Sequence, residues 1–243
     1  MIISYFIYDT RSLLACSTTC RSWYIAAVVH LHHSLATDDR IFPLKDGRYL
    51  WPGPLQNSYD LGLLPLVKRL SIRLNYNKFT LDDHTLRYFS ALTNLQELGI
   101  DYFQVHHFMP NIQRYFGYFA PTLRFLALKE PAGSCRQILY FIGLFPNLQD
   151  LKPFCETPTK EQESMADAEL APLSVPPLRG RLTLTHFTRG RLMKDMIILF
   201  GGLRFRHIDL FRVKCVRLLL DACAETLETL RLYPTDFSGE DSS

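Results

Sequence analysis

Thr93-Asn94-Leu95-Gln96-Glu97-Leu98-Gly99-Ile100 and Pro121-Thr122-Leu123-Arg124-Phe125-Leu126-Ala127-Leu128 carry one pattern, a small polar residue and then an apolar residue at the first, fourth and sixth places. The last two apolar sites alternate with other residues, as in a strand with one face buried. Val67-Leu70-Ile72, Phe205-Ile208-Leu210 and Leu227-Leu230-Leu232 repeat it. Two copies are looser: Leu148-Leu151 meets Pro153 at the last apolar site, and Leu178-Leu182-Leu184 carries one extra residue. The steps along Leu70, Leu98, Leu126, Leu151, Leu182, Ile208 and Leu230 are 28, 28, 25, 31, 26 and 22 residues.

Between these strands, three-and-four spacing predicts helices around Leu86-Phe89, Ile112-Tyr115-Phe116-Phe119, Ile138-Phe141-Ile142-Phe145 and Val213-Val216-Leu220-Cys223. Asp82, Asp83 and Ser134 are candidate N-caps, Pro110 suits a first helical turn, and Gly201-Gly202 would end a helix containing Leu192 and Met196. Thr93-Asn94, Pro121-Thr122, Pro146-Asn147 and Glu225-Thr226 precede a leucine where helix should stop and strand begin. In rhythm and alternation the chain resembles leucine-rich repeats, whose units run about 20 to 29 residues. The resemblance implies an α/β solenoid over residues 67–235, parallel strands inside and helices outside. The asparagine that many such repeats place after the strand is replaced by Phe103, Pro131 and Thr235, so the turns must find other partners.

From Arg11 to Leu35 there is no proline or glycine, and Leu13, Leu14, Cys16, Cys20, Trp23, Ala27 and Leu31 suit amphipathic helices. Asp9 and Thr10 are candidate N-caps, and Thr18-Thr19 lower helix propensity, which predicts two short helices meeting near Cys20. Ile2-Ile3-Ser4-Tyr5-Phe6, Ser12-Leu13-Leu14-Ala15-Cys16-Ser17 and Cys20-Arg21-Ser22-Trp23 are similar to the later part of an F-box. The Leu-Pro pair and acidic residue that open that family's module are absent, so residues 1–40 are expected to be a partial, clipped F-box. Resemblance to F-box proteins with leucine-rich repeats implies docking on the Skp adaptor of a cullin ubiquitin ligase. Ile3, Phe6, Leu13, Leu14, Cys20 and Trp23 would share contact and core roles there. The blander alternative makes these helices a cap on the first repeat of a stand-alone interaction scaffold with no ubiquitin role.

Alternate strand residues should face the inner surface and meet a protein substrate: Arg69, Ser71, Arg73, Glu97, Gly99, Asp101, Phe125, Lys129, His207, Asp209, Phe211, Arg231 and Tyr233. Both charge signs mixed with aromatics fit a protein ligand better than a lipid or a polyanion. Residues 41–66 read as a linker, and the acidic, proline-bounded stretch 157–177 as a disordered insertion, either a ligand-contacting loop or a tolerated surface loop. Residues 236–243 read as a disordered tail, after which the last sheet edge stays open.

The 27 basic and 24 acidic residues among 243 leave a net charge of +3, so no nucleic acid partner is expected, and 47% hydrophobic content can fill a sizeable core. Six scattered cysteines fit reduced thiols and a cytoplasmic or nuclear location, and no apolar run is long enough to span a bilayer. His30, His32 and His33 crowd together, as do His106-His107, but no cysteine or carboxylate stands at ligand spacing, so neither metal nor cofactor is expected. Arg179-Gly180-Arg181 and Arg189-Gly190-Arg191 near Phe187 are too isolated to suggest RNA contact. No nucleophile elbow, phosphate-binding loop, zinc-protease pair or dinucleotide turn occurs, so no catalytic residue is expected.

Overall fold

The structure is a computed structural model describing residues 10–31, 33–37, 58–73, 83–103, 105–129, 131, 133–154, 178–185, 195–198, 200, 202–211 and 216–233. Ile3 and Phe6, the stretch 157–177 and the tail 236–243 lie outside the described residues, as does most of the expected linker.

Two helices come first, α1 (Thr10–Thr19) and α2 (Arg21–Leu31). The break between them has a local cause. Ser17 Oγ donates to the Leu14 carbonyl, and Thr18 Oγ1 and Thr19 Oγ1 both donate to the Ala15 carbonyl, so hydroxyls compete for the groups that would continue the helix. Leu13, Cys16 and Ala27 form a small core of their own between the pair.

Eight strands follow: β1 (Ser34–Thr37), β2 (Arg69–Arg73), β3 (Glu97–Asp101), β4 (Phe125–Lys129), β5 (Asp150–Phe154), β6 (Leu178–Thr185), β7 (Leu203–Phe211) and β8 (Thr229–Tyr233). They lie side by side in chain order, every neighbouring pair parallel. Leu70, Leu98, Leu126, Leu151, Leu182, Ile208 and Leu230 pair directly across the sheet, so the sequence repeat is a structural row. Pro153 holds its place beside Leu128 and is buried, and the extra residue near Leu178 appears as a register shift at Gly180/Arg181. At Gly180, φ is +90° and a Cβ would run into the Gln149 carbonyl, which leaves glycine as the residue that fits. Ser34–Thr37, which sequence reading placed within the helical segment, pairs with β2 and belongs to the sheet.

Parallel neighbours need a crossover. The crossovers carry α3 (Asp83–Ala91) before β3, α4 (Val105–Phe108) and α5 (Ile112–Phe116) before β4, α6 (Cys135–Gly143) before β5, and α7 (Val216–Cys223) before β8. A helical turn at 195–198 precedes β7. Ser134 caps α6 with a reciprocal box: its Oγ accepts from the Gln137 N–H, while Gln137 Oε1 accepts from the Ser134 N–H. Pro110 lies in a 3-10 turn, Met109–Asn111, leading into α5.

Helices and strands share one core, in which Leu98, Ile100, Leu126 and Leu128 meet Phe89, Ile112, Phe116, Ile138 and Phe141. Rings join its units: Phe119 lies 6.2 Å from Phe89 and 6.3 Å from Phe145, and Phe141 lies 4.7 Å from Phe103 and 4.9 Å from Phe116. Phe103, at a position where an asparagine was missing, is fully buried in this cluster, and Pro131 is buried too. Just before it, Tyr102 adopts φ 58° and donates its N–H to the Lys129 carbonyl, tying the end of β3 to β4.

The polar anchors lie instead at the helix-to-strand turns. Asn94 Nδ2 donates to the Pro65 carbonyl (2.9 Å), Thr122 Oγ1 to Leu95 (2.8 Å), Asn147 Nδ2 to Pro121 (2.8 Å) and Thr226 Oγ1 to Phe205 (3.2 Å). Each lead-in residue thereby clamps its strand to the preceding unit. Backbone carbonyls reinforce the clamp: Lys68 O accepts from Gln96 N and Glu97 N, Gln96 O from Arg124 N and Phe125 N, and Arg124 O from Gln149 N and Asp150 N.

Candidate interaction surface

One face of the sheet packs on the helices, which leaves the alternate residues on the other face, partly or fully exposed. Three rows cross it. The first runs Arg69, Glu97, Phe125, Asp150, Arg181, His207, Thr229, and the last runs Arg73, Asp101, Lys129, Phe154, Thr185, Phe211, Tyr233. Every substrate-contact residue expected from alternation falls on these rows, including Ser71, Gly99, Asp209 and Arg231 in the middle one. Of Arg73, Phe154 and Thr185 only the backbone pairing is described.

The middle row changes character across the sheet. Over β2 to β4 it is Ser71, Gly99 and Ala127, a shallow floor; a Cβ at Gly99 would make ordinary contact with Ser71 Oγ at 3.6 Å. Past β4 it becomes Lys152, Thr183, Asp209 and Arg231, which fill the floor with charge.

Ion pairs knit neighbouring strands together. Arg69 Nε lies 2.8 Å from Glu97 Oε1, and the largely buried Asp209 carboxylate stands 4.0 Å from both Arg181 Nε and Arg231 Nε. Lys152 Nζ sits 4.9 Å above the Phe125 ring, and Phe211 stacks on Tyr233 at 3.9 Å and 7°. Asp150 is the exception: its Oδ1 is buried and has no hydrogen-bond partner, and burial pushes its carboxyl above the usual range despite Lys152 and Arg181 nearby. An acceptor stripped of water and lacking a donor is a place where a ligand's N–H would be stabilising.

Asp150, Lys152 and Arg181 escaped sequence reading because they flank the two looser copies; the alternation in Asp150-Leu151-Lys152 was the available signal. On the N-terminal helices the structure separates roles that the sequence left mixed. Leu13 is core, whereas Leu14, Trp23 and the free thiol of Cys20 are exposed, joined by Tyr24, which sequence reading did not single out.

Among the described residues no group of three or more His, Cys, Asp or Glu side chains could hold a metal, and no helix is long and apolar enough to cross a membrane. His33 ends α2's approach to the sheet, its pKa lowered by burial and then by Arg69 and Lys68. Burial likewise pushes the Cys223 thiol up, so it is a packed residue and a poor nucleophile. No protein-family profile and no curated protein matches the chain.

Proposed function

We propose that the chain is a leucine-rich-repeat solenoid that serves as the substrate-recognition subunit of a Skp/cullin/F-box type ubiquitin ligase. Catalysis belongs to its partners. The observation carrying this reading is a parallel sheet with one face committed to helices and the other, from β2 to β8, lined by partly or fully exposed described residues that include both charges and aromatics. Such a face is broad, shallow and chemically mixed, which suits a folded protein better than a small metabolite. Leu14, Trp23 and Tyr24 give the helical pair the exposed apolar surface that docking on the adaptor requires.

Co-purification with the Skp adaptor tests the adaptor half. The chain should retain the adaptor, and Leu14→Asp with Trp23→Ala should abolish retention without moving the thermal midpoint of the sheet. Failure of the unaltered chain to retain it leaves a stand-alone repeat scaffold whose N-terminal helices act as a cap.

A further inference from the structure

Parallel strands in register begin along one rim of the sheet, and here that rim is basic. Lys68, Gln96, Arg124, Gln149 and Arg206 each stand one residue before partners that pair across the sheet from β2 to β7. They form a row about 24 Å long at ~4.8 Å per strand. Beyond the row, Arg179 on β6 pairs directly with Arg204 on β7. We propose that this rim docks the protein on an anionic phospholipid bilayer. The proposal goes beyond the receptor reading and does not depend on it.

Charge selects an anionic surface. Lys68, Arg124, Arg179, Arg204 and Arg206 are all exposed, and among the described residues Arg206 alone of these five has an ion-pair partner, Glu228 at 3.6 Å in the β8 unit. The nearest acid on β3, Glu97, is held by Arg69 at 2.8 Å, and Asp150 lies partly buried on the inner face. Arg179 and Arg204 are like charges side by side, an arrangement that destabilises the bare rim and that an anionic partner relieves. The far ends of β3 and β4 differ: there Asp101 pairs with Lys129, and the charges cancel.

Apolar groups on the same rim select lipid. Leu61 is 70% exposed, and Pro65, Pro121 and Pro146 are exposed in the turns that lead into β2, β4 and β5. Asn94 and Asn147 tie the Pro65 and Pro121 carbonyls to the next unit, so these turns stand as a fixed line beside the cations. Leucine and proline side chains can enter the headgroup region while the cations meet lipid phosphates and carboxylates. Between β4 and β7 the rim also opens into a concavity of about 860 Å³ lined by Arg124, Arg179 and Arg206, with room for one headgroup. Gly180 lies in its lining, where a Cβ would strike the Gln149 carbonyl. A nucleic acid would match the cations but leave Leu61 in water, and the aromatic residue of the concavity, Phe145, is buried and offers no ring to a base. Set on a bilayer by this rim, the sheet stands edge-on and keeps its inner face free for a protein.

Sedimentation of the whole chain with vesicles decides it. Vesicles of phosphatidylcholine mixed with phosphatidylserine should carry the chain down, and vesicles of phosphatidylcholine alone should not. Binding should weaken as added salt shortens the screening length. Arg124→Gln and Arg204→Gln should each lose about fivefold in affinity, the worth of one cation at an anionic surface, with unchanged thermal midpoints. Leu61→Ser, which alters no charge, should also bind more weakly, whereas Arg217→Gln, which removes a charge from exposed α7, should bind as the unaltered chain does. Equal binding to the two kinds of vesicle, or full affinity in Arg204→Gln or Leu61→Ser, would overturn the proposal. So would tighter binding to a DNA duplex than to the mixed vesicles at equal phosphate concentration, a result that assigns the rim to nucleic acid.

Discussion

Leu126 and Leu128 on β4 occupy the same two positions as Leu230 and Leu232 on β8, yet the first pair is 0% and 1% exposed and the second 36% and 59%. Both strands pair in full with the strand before them, and Phe211 stacks on Tyr233 across the β7–β8 step. Among the described residues, only β4 has a following strand and helix. Strand formation therefore follows from the residues of one unit, whereas core formation depends on the units to both sides. The same holds on a smaller scale at the N-terminal helical pair, whose described buried core is Leu13, Cys16 and Ala27, with Ala26 and Leu31 packed against it.

The largest expected effect lies inside the sheet. Leu126→Ala should cost about 2–5 kcal/mol, because its cavity is walled by neighbouring units that cannot collapse into it. Chemical denaturation read by circular dichroism would show the loss. A cost near that of a surface change would mean the units do not support one another.

Next in size is the inter-unit clamp. Thr122→Val keeps the shape but removes the hydroxyl that reaches the Leu95 and Phe119 carbonyls, and should cost about 1 kcal/mol in the same assay. Asp150→Asn should act more weakly and with the opposite sign at neutral pH. Burial raises the folded-state pKa, so the folded chain holds this proton more tightly than the unfolded chain does. The stabilising contribution of Asp150 is complete below the unfolded value near ~3.9 and is lost as pH rises through the folded one. The amide variant should therefore melt slightly higher at pH 7 and lose that advantage in acid. Smallest of all, Leu232→Ala should change stability by less than about 0.5 kcal/mol, since the side chain is already in water.

The strand positions were legible because a row of leucines is both a sequence period and a physical row. Helices α3, α5, α6 and α7 were legible through their apolar spacing, although α7 buries Leu219 with Cys223 where the spacing named Leu220, and the cap at Ser134 was legible through Gln137 three residues later. β1 was not, because Ser34-Leu35-Ala36-Thr37 is short and shares no lead-in with the other units. The small polar lead-in residues were visible, but their partners were not: a bond from Asn94 to the Pro65 carbonyl exists only once neighbouring units are stacked. The rim concavity was hidden for the same reason, since Arg124, Arg179 and Arg206 are far apart in sequence and come together only across four strands.

The side-chain clamps sit where β3, β4, β5 and β8 start, whereas the described stretches between one strand's end and the next lead-in differ in length from unit to unit. Loops and helical turns of unequal length can thus be spliced into the outer layer without shifting any residue of the inner one. A lineage or an engineer could lengthen, trim or exchange those outer segments while the arrangement of side chains offered to a ligand stays the same.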